Sequence, residues 1–224
     1  MILSLNETGQ DHFSLSFGAC PRAESRERLV LTEASKGATV KRTDCFPVTS
    51  ERLHLRALAM DDFGSTLNLY QQSKTGDWFP GWDMDEIRAQ QFLAWQIGKY
   101  NTWDILNAKG SLAIVRKDTG DFIGHCGIGK HEGLPETEMF VGIEKQHRNM
   151  GYASEAVTAL TNWADPTFGI PFLCATILMD NLPSQKGLEK CGCAFITTRR
   201  IDCQARSGVF KIYRMQSLAQ ESQQ

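Results

Sequence analysis

The chain has 224 residues, of which 42% are hydrophobic, enough to bury one full core as a single domain with residues left over. A formal net charge of −2 argues against non-specific binding to nucleic acid or an anionic membrane, both of which favour a strong basic excess. The longest apolar stretch, around Gly169 to Met179, is too short to span a bilayer, and the first residues lack the basic start and long apolar run of a secretory signal. Seven cysteines form no Cys-x-x-Cys pair, and no histidine stands at zinc-finger spacing. An odd number of thiols, mostly on strand-like segments, fits a reducing, cytoplasmic setting with no metal. Cys126 beside His125 is the nearest candidate for a nucleophile, but neighbours on a strand point to opposite faces, which weakens the pairing.

In chain order, residues 1–48 read as an extension rich in Ser, Thr, Glu, Arg and Gly, either loosely packed or adding a strand to a sheet edge. Leu53 to Leu58 reads as a strand. Asp61 to Gln72 reads as a helix, with Phe63, Leu67 and Tyr70 on one face. A loop follows in which Trp78, Phe79 and Trp82 interleave with Asp77, Asp83 and Asp85, and Asp83 to Tyr100 reads as a second helix. Ser111 to Arg116 and Phe122 to Lys130 form a hairpin across Asp118 and Gly120, both good turn residues. Next come a strand, Thr137 to Ile143, a helix from Gly151, a strand, Phe172 to Met179, and a helix, Leu182 to Cys191. Phe195 to Cys203 and Val209 to Met215 close the chain as a hairpin before a polar tail, residues 219–224. Seven strands and four helices in this order predict one mixed, largely antiparallel α/β sheet over residues 49–218. The central strand-helix-strand unit must supply a parallel pair.

The most informative run is Gln146 to Ala153. It joins a strand to an amphipathic helix whose apolar face carries Ala153, Ala156, Val157, Leu160, Trp163 and Ala164. A strand feeding a glycine turn that opens a helix presents free N–H groups at the positive end of the helix dipole, a physical site for phosphate or pyrophosphate. Gly151 allows close backbone approach, the small Ala153 avoids walling off the ligand, and Arg148 adds charge. The same order recurs about thirty residues on. The strand from Phe172 is followed by Asn181-Leu182-Pro183-Ser184, a helix, and Gly192 as its terminator.

Strand, Arg-x-x-Gly-x-Ala, helix, strand, Asn-x-x-Ser, helix, Gly resembles the GNAT superfamily of acetyl-coenzyme A-dependent N-acetyltransferases. The nearest likeness is the branch with ribosomal-protein N-terminal acetyltransferases and small-amine acetyltransferases. Thr49 to Leu58, Ala113 to Gly124 and Gly208 to Met215 resemble that branch's first strand, central hairpin and last strand. The resemblance implies that Arg148, Asn149, Met150, Gly151, Tyr152 and Ala153 hold the pyrophosphate of acetyl-CoA, mainly through backbone N–H groups. It implies that the backbone of Ile143 and Lys145 pairs with the pantetheine arm like an added strand, that Asn181 touches the arm from the other side, and that Ser184 protonates the leaving thiolate. Met150 stands where relatives often carry a basic residue, which removes one phosphate contact.

Glu138, at the start of the strand entering the cradle, is the candidate base for the amine, acting through water; otherwise it is a solvated edge residue beside Glu136. His125 and His131 are alternative bases, and His125 is also a candidate substrate-facing group. His147 shapes the turn, and Glu155 and Glu189 read as solvated or capping. The acceptor pocket of the superfamily lies beneath the first two helices and their loop, so Trp78, Phe79 and Trp82 either enclose the amine or pack the loop. These readings predict acetyl transfer to a primary amine by direct attack in a ternary complex. The rivals are a non-catalytic acyl-CoA-binding module, an O-acyltransferase, and a nucleotide- or phosphopeptide-binding domain using the same helix end.

Overall fold

In a computed structural model of the chain, the described residues are 47–72, 84–100, 110–130, 134–203 and 206–218. Their strands are β1 (Val48–Thr49), β2 (Leu53–Ala57), β3 (Gly110–Arg116), β4 (Phe122–Lys130), β5 (Thr137–Ile143), β6 (Phe172–Leu178), β7 (Ala194–Cys203) and β8 (Arg206–Gln216). The helices are α1 (Phe63–Gln71), α2 (Glu86–Tyr100), α3 (Tyr152–Phe168) and α4 (Leu182–Lys190), with short 3-10 turns at Met60–Asp62 and Lys145–His147. The sheet has eight strands in the order β1-β2-β3-β4-β5-β6-β8-β7. Seven were expected. The eighth is β1, which pairs Val48 with Leu55 and Thr49 with His54. Two residues are too few to show any alternation, so periodicity could not reveal it.

Every neighbouring pair is antiparallel except β5 with β6. That parallel ladder holds a single pair, Glu138 with Cys174. Beyond it β5 runs on to Ile143 along β4 while parting from β6. Because the two strands are parallel, their C-terminal ends lie at the same end of the sheet. The turns into α3 and α4 therefore flank one gap, the position where open α/β sheets hold ligands.

Side chains alternate across a sheet, so register assigns the faces. His125 pairs with Gly142 and Ala113, and Gly129 pairs with Glu138, which puts His125, Ser111 and Glu138 on one face. Helices α1 and α2 cover that face: Thr66 and Tyr70 reach His125, and Gln96 Oε1 accepts the Ser111 N–H at 3.0 Å. On the opposite face Lys211 donates to Gln185 at 2.7 Å and Tyr213 to Glu189 at 3.0 Å, fixing α4 there. The Cys191 thiol then reaches Ser154 at 3.0 Å, tying α4 to α3. The apolar stripe of α3 is realised, with Ala156, Val157, Leu160 and Ala164 fully buried. Burying such aliphatic side chains contributes about 1.5–3 kcal/mol for each Val or Leu, which fixes the helix, and hence its N-terminus, against the sheet. At the other edge Arg56 forks onto the Asp62 carboxylate at 2.7 Å through each nitrogen, holding the start of α1 to β2.

Candidate active site

The turn between β5 and α3 contains two left-handed residues, Asn149 at φ 63° and Gly151 at φ 82°. Asn tolerates that region better than most residues and Gly does so freely, so the sequence Asn-Met-Gly suits the bend. Gly151 is the N-cap of α3, and no side chain caps the helix. The first-turn N–H groups have no helical acceptor and stand open at the positive end of the dipole. Asn149 and Gly151 are exposed and Met150 is 53% exposed, so the cradle faces solvent. Tyr152 is buried and Ala153 half-buried, packing the turn onto the core.

Three of the expected site groups have partners within the chain. The Ile143 carbonyl accepts the Arg148 Nε–H at 2.8 Å, so Arg148 caps the end of β5 with one edge of its guanidinium. The Lys145 N–H donates to Gln72 Oε1 at 2.7 Å, from the end of α1. Those two backbone groups, expected to pair with a pantetheine arm, are thus engaged within the chain. His125, the candidate substrate-facing group, lies in the interior. It is fully buried, edge-on to Tyr70 and Phe122, with its Nδ1 3.1 Å from the Tyr70 hydroxyl and its Nε2 3.4 Å from that of Thr66.

Burial pushes the His125 ring down to about 3 from an ordinary 6.5, opposed by the nearby Asp62 carboxylate. The ring stays neutral in the fold but takes a proton once unfolded, so the unfolded state binds more protons between those values. Stability is therefore complete above pH 6.5 and declines as pH falls toward 3. The added slope is up to about 1.4 kcal/mol per pH unit, and His125→Gln is expected to remove it. Urea melts of both proteins at neutral and mildly acid pH check this; an equal pH dependence in the variant would assign the titration to other groups.

Glu138 is 6% exposed, so it is not a solvated edge residue. Its Oε1 accepts the Thr176 hydroxyl, and its neighbours across the sheet are Cys174 and, beyond it, Arg214, whose guanidinium lies 4.0 Å over the Phe172 ring. Glu138 stands at the last contact between β5 and β6, on the face covered by α1 and α2. Across the gap, Asn181 is 4% exposed and caps α4, its Oδ1 accepting the Ser184 N–H at 3.2 Å. Ser184 is half-buried in the first turn. Trp78, Phe79, Trp82 and His131 lie outside the described residues. Among the described residues no cluster of three or more His, Cys, Asp or Glu side chains could hold a metal ion, and no helix is long and apolar enough to cross a membrane.

Sequence reasoning missed two residues beside the cradle. Glu155, read as solvated or capping, is engaged from three sides: the Ser50 hydroxyl and the Arg52 N–H donate to Oε1 at 2.7 and 2.6 Å, and Arg52 Nε donates to Oε2 at 2.6 Å. Burial would raise this carboxyl, but those hydrogen bonds outweigh it and hold the group below its usual range. Arg52 was read only as part of the first strand. Its Nη1 donates to the Met150 carbonyl at 3.1 Å, and its guanidinium lies 4.5 Å over the Tyr152 ring. An open groove of about 900 Å³ runs alongside, bordered by Arg52, Gly151, Ser154, Glu155 and Lys190. The only sequence signal was Glu155 in a first helical turn where an anion site also lay, a like-charge conflict that calls for a cation nearby.

The sequence matches the acetyltransferase (GNAT) domain family over residues 52–194. The chain is similar to the N-acetyltransferase YjdG of Bacillus subtilis, 37% identical over 83 residues; that match covers 37% of this chain and 49%, about half, of the relative's length. In three dimensions it resembles an acetyltransferase from Agrobacterium tumefaciens, with a TM-score of 0.61 and 26% identity over 76% of this chain and 94% of that one. The fold is also that of RimJ from Mycobacterium smegmatis, solved with a CoA-disulfide, at a TM-score of 0.60 and 17% identity over 77% of this chain and 84% of that one.

Proposed function

The chain belongs to the acetyltransferase (GNAT) domain family, and from that membership we propose that it moves the acetyl group of acetyl-CoA to a primary amine by direct attack in a ternary complex. The observation that carries this reading is the gap between β5 and β6. It opens after the single pair Glu138–Cys174, with the uncapped N-terminus of α3 on one side and the Asn181–Ser184 turn on the other. A ligand with an anionic end and an extended, amide-bearing arm fits such a gap: the anion goes to the helix end and the arm lies along an unpaired strand.

In this proposal the first-turn N–H groups from Gly151 to Ala153 receive the pyrophosphate, with Asn149 and Met150 shaping the turn. The arm lies against β5 between Glu138 and Ile143, upstream of the engaged Ile143 carbonyl and Lys145 N–H, and Asn181 borders it from α4. Glu138 takes a proton from the ammonium, directly or through water, leaving the nitrogen lone pair to attack the thioester carbonyl carbon. The carbon–sulfur bond then breaks, the electron pair stays on sulfur, and the Ser184 hydroxyl supplies the proton that makes the free thiol, while the second proton shed by the nitrogen as the amide forms restores the Ser184 hydroxyl. The acceptor is a protein N-terminus, an amino acid, a polyamine or a small metabolite, and the Trp78–Trp82 loop is its proposed wall. Free thiols at Cys126, Cys174, Cys191 and Cys193 suit a cytoplasmic setting.

The test is release of free CoA thiol from acetyl-CoA against a panel of primary amines, with mass spectrometry of the product. At least one amine is expected to release thiol and gain an acetyl group. Tight CoA binding with no release from any amine would instead make the protein an acyl-CoA-binding module, and release with hydroxyl acceptors alone would make it an O-acyltransferase.

A further inference from the structure

The cradle is built by the turn between β5 and α3 and by the start of α3, but the side chain that braces it comes from the residue just before β2. Arg52 holds three parts of the turn at once: the Met150 carbonyl at 3.1 Å, the Glu155 carboxylate at 2.6 Å, and the Tyr152 ring at 4.5 Å. Its own backbone is fixed on both sides, the N–H donating to Glu155 and the carbonyl accepting the Lys117 N–H at 2.9 Å. The guanidinium therefore has little freedom to leave, although 45% of its side chain remains exposed.

Two consequences follow from elementary chemistry. A trans peptide is planar, with its C=O and N–H on opposite sides. Holding the Met150 carbonyl toward Arg52 therefore turns the Gly151 N–H away from β2. Gly151 is left-handed and Asn149, two residues before it, is too, so without a pin this peptide plane has more freedom to rotate than one inside a helix. The second consequence is electrostatic. Glu155 places a full negative charge in the first turn of α3, where a bound anion would meet repulsion. The Arg52 guanidinium, whose Nε donates to the same carboxylate, cancels that charge locally.

We propose that Arg52 is a positioning residue for the phosphate cradle: it pins the Met150–Gly151 peptide so that the Gly151 N–H faces the ligand, and it neutralises Glu155 so that the first turn of α3 accepts an anion. The inference rests on the reading that acetyl-CoA is the donor. It adds a residue, Arg52, and an ion pair that neither the turn nor its helix contains.

The test titrates wild type, Arg52→Gln, Glu155→Gln and the double variant with CoA and with pantetheine, which has the same arm but no pyrophosphate. Arg52→Gln is expected to weaken CoA by roughly tenfold to a hundredfold, the scale of a lost hydrogen bond from a charged group. Its affinity for pantetheine should be unchanged. Adding Glu155→Gln to Arg52→Gln should recover part of the CoA affinity, because the unneutralised carboxylate is gone while the pin is still missing. Should Arg52→Gln fail to fold, Arg52→Lys carries the test. The lysine keeps the charge but cannot reach Glu155 and Met150 together, so a CoA loss of a few-fold is expected, again with pantetheine spared. Unchanged CoA affinity in a folded Arg52 variant, or an equal loss for both ligands, overturns the inference while leaving the donor intact. A wild-type protein that binds no CoA overturns the donor reading itself, and the inference with it.

Discussion

A Gly151→Asp protein is expected to fold and to lose CoA binding by at least about a hundredfold. Gly151 sits at φ 82°, a region in which Asp is tolerated better than most residues, so the backbone strain is about 1–2 kcal/mol. A Cβ there would lie 3.3 Å from Arg52 Nη2, the far end of a flexible side chain, and that chain can give by the few tenths of an ångström needed. The fold should therefore survive. Binding should not, because a carboxylate would stand within about 4 Å of the bound phosphates, and two unit charges at that distance repel by about 4 kcal/mol at a surface-like dielectric. Arg52 compensates only in part, since its Nε and Nη1 already hold Glu155 and Met150 and leave Nη2 alone to meet the new carboxylate. Gly151→Asn separates charge from shape: it takes the same conformation with a side chain of the same size and no charge, and should bind CoA more tightly than the Asp variant. Calorimetry on the folded proteins decides the matter. Unchanged affinity in Gly151→Asp would remove the pyrophosphate from this turn.

The elements around this turn were legible because each carries its own local signal. The stripe Ala156, Val157, Leu160 and Ala164 recurs at helical spacing, and α3 buries that stripe fully. The parallel β5–β6 pair followed from a strand-helix-strand order, which leaves few alternatives. Illegible features depended on partners far away in the chain. Arg52 and Glu155 are 103 residues apart, so no window of sequence shows that one neutralises the other. Lys145 loses its backbone donor to Gln72, which is 73 residues earlier and reaches it only because α1 packs over the sheet. His125 carried the signal of a strand residue and nothing more. Tertiary cover by Tyr70 and Thr66 turned a possible base into a buried, neutral ring. Glu138 shows the converse. Its strand was clear, but whether it faced water or the interior depended on β6, which brings Thr176 to its carboxylate.

Glu138→Gln is expected to lower kcat by about a hundredfold near neutral pH, the scale of a lost general base, with much of the rate restored as pH rises. The substitution keeps the shape of the side chain and its acceptor for the Thr176 hydroxyl, and it removes only the ability to take a proton. A primary amine is mostly protonated at neutral pH, so the enzyme must remove that proton before the nitrogen can attack. Raising the pH supplies the neutral amine from solution and bypasses the missing base. Glu138, at 6% exposure, stands shielded from bulk water at the junction of β5 and β6, beside the gap where the amine would meet the thioester. Two other results carry different meanings. If Glu138 only attracts the ammonium form, the variant raises KM for the amine and leaves kcat unchanged at every pH. If neither constant moves, the carboxylate is a structural acceptor for Thr176 at the junction of β5 and β6, and proton removal runs through a buried water chain to another group. Rate profiles over pH for wild type and Glu138→Gln, measured at saturating acetyl-CoA, separate these outcomes. The base assignment survives only a drop in kcat that shrinks with rising pH, since neither ammonium binding nor a structural role gives kcat that dependence.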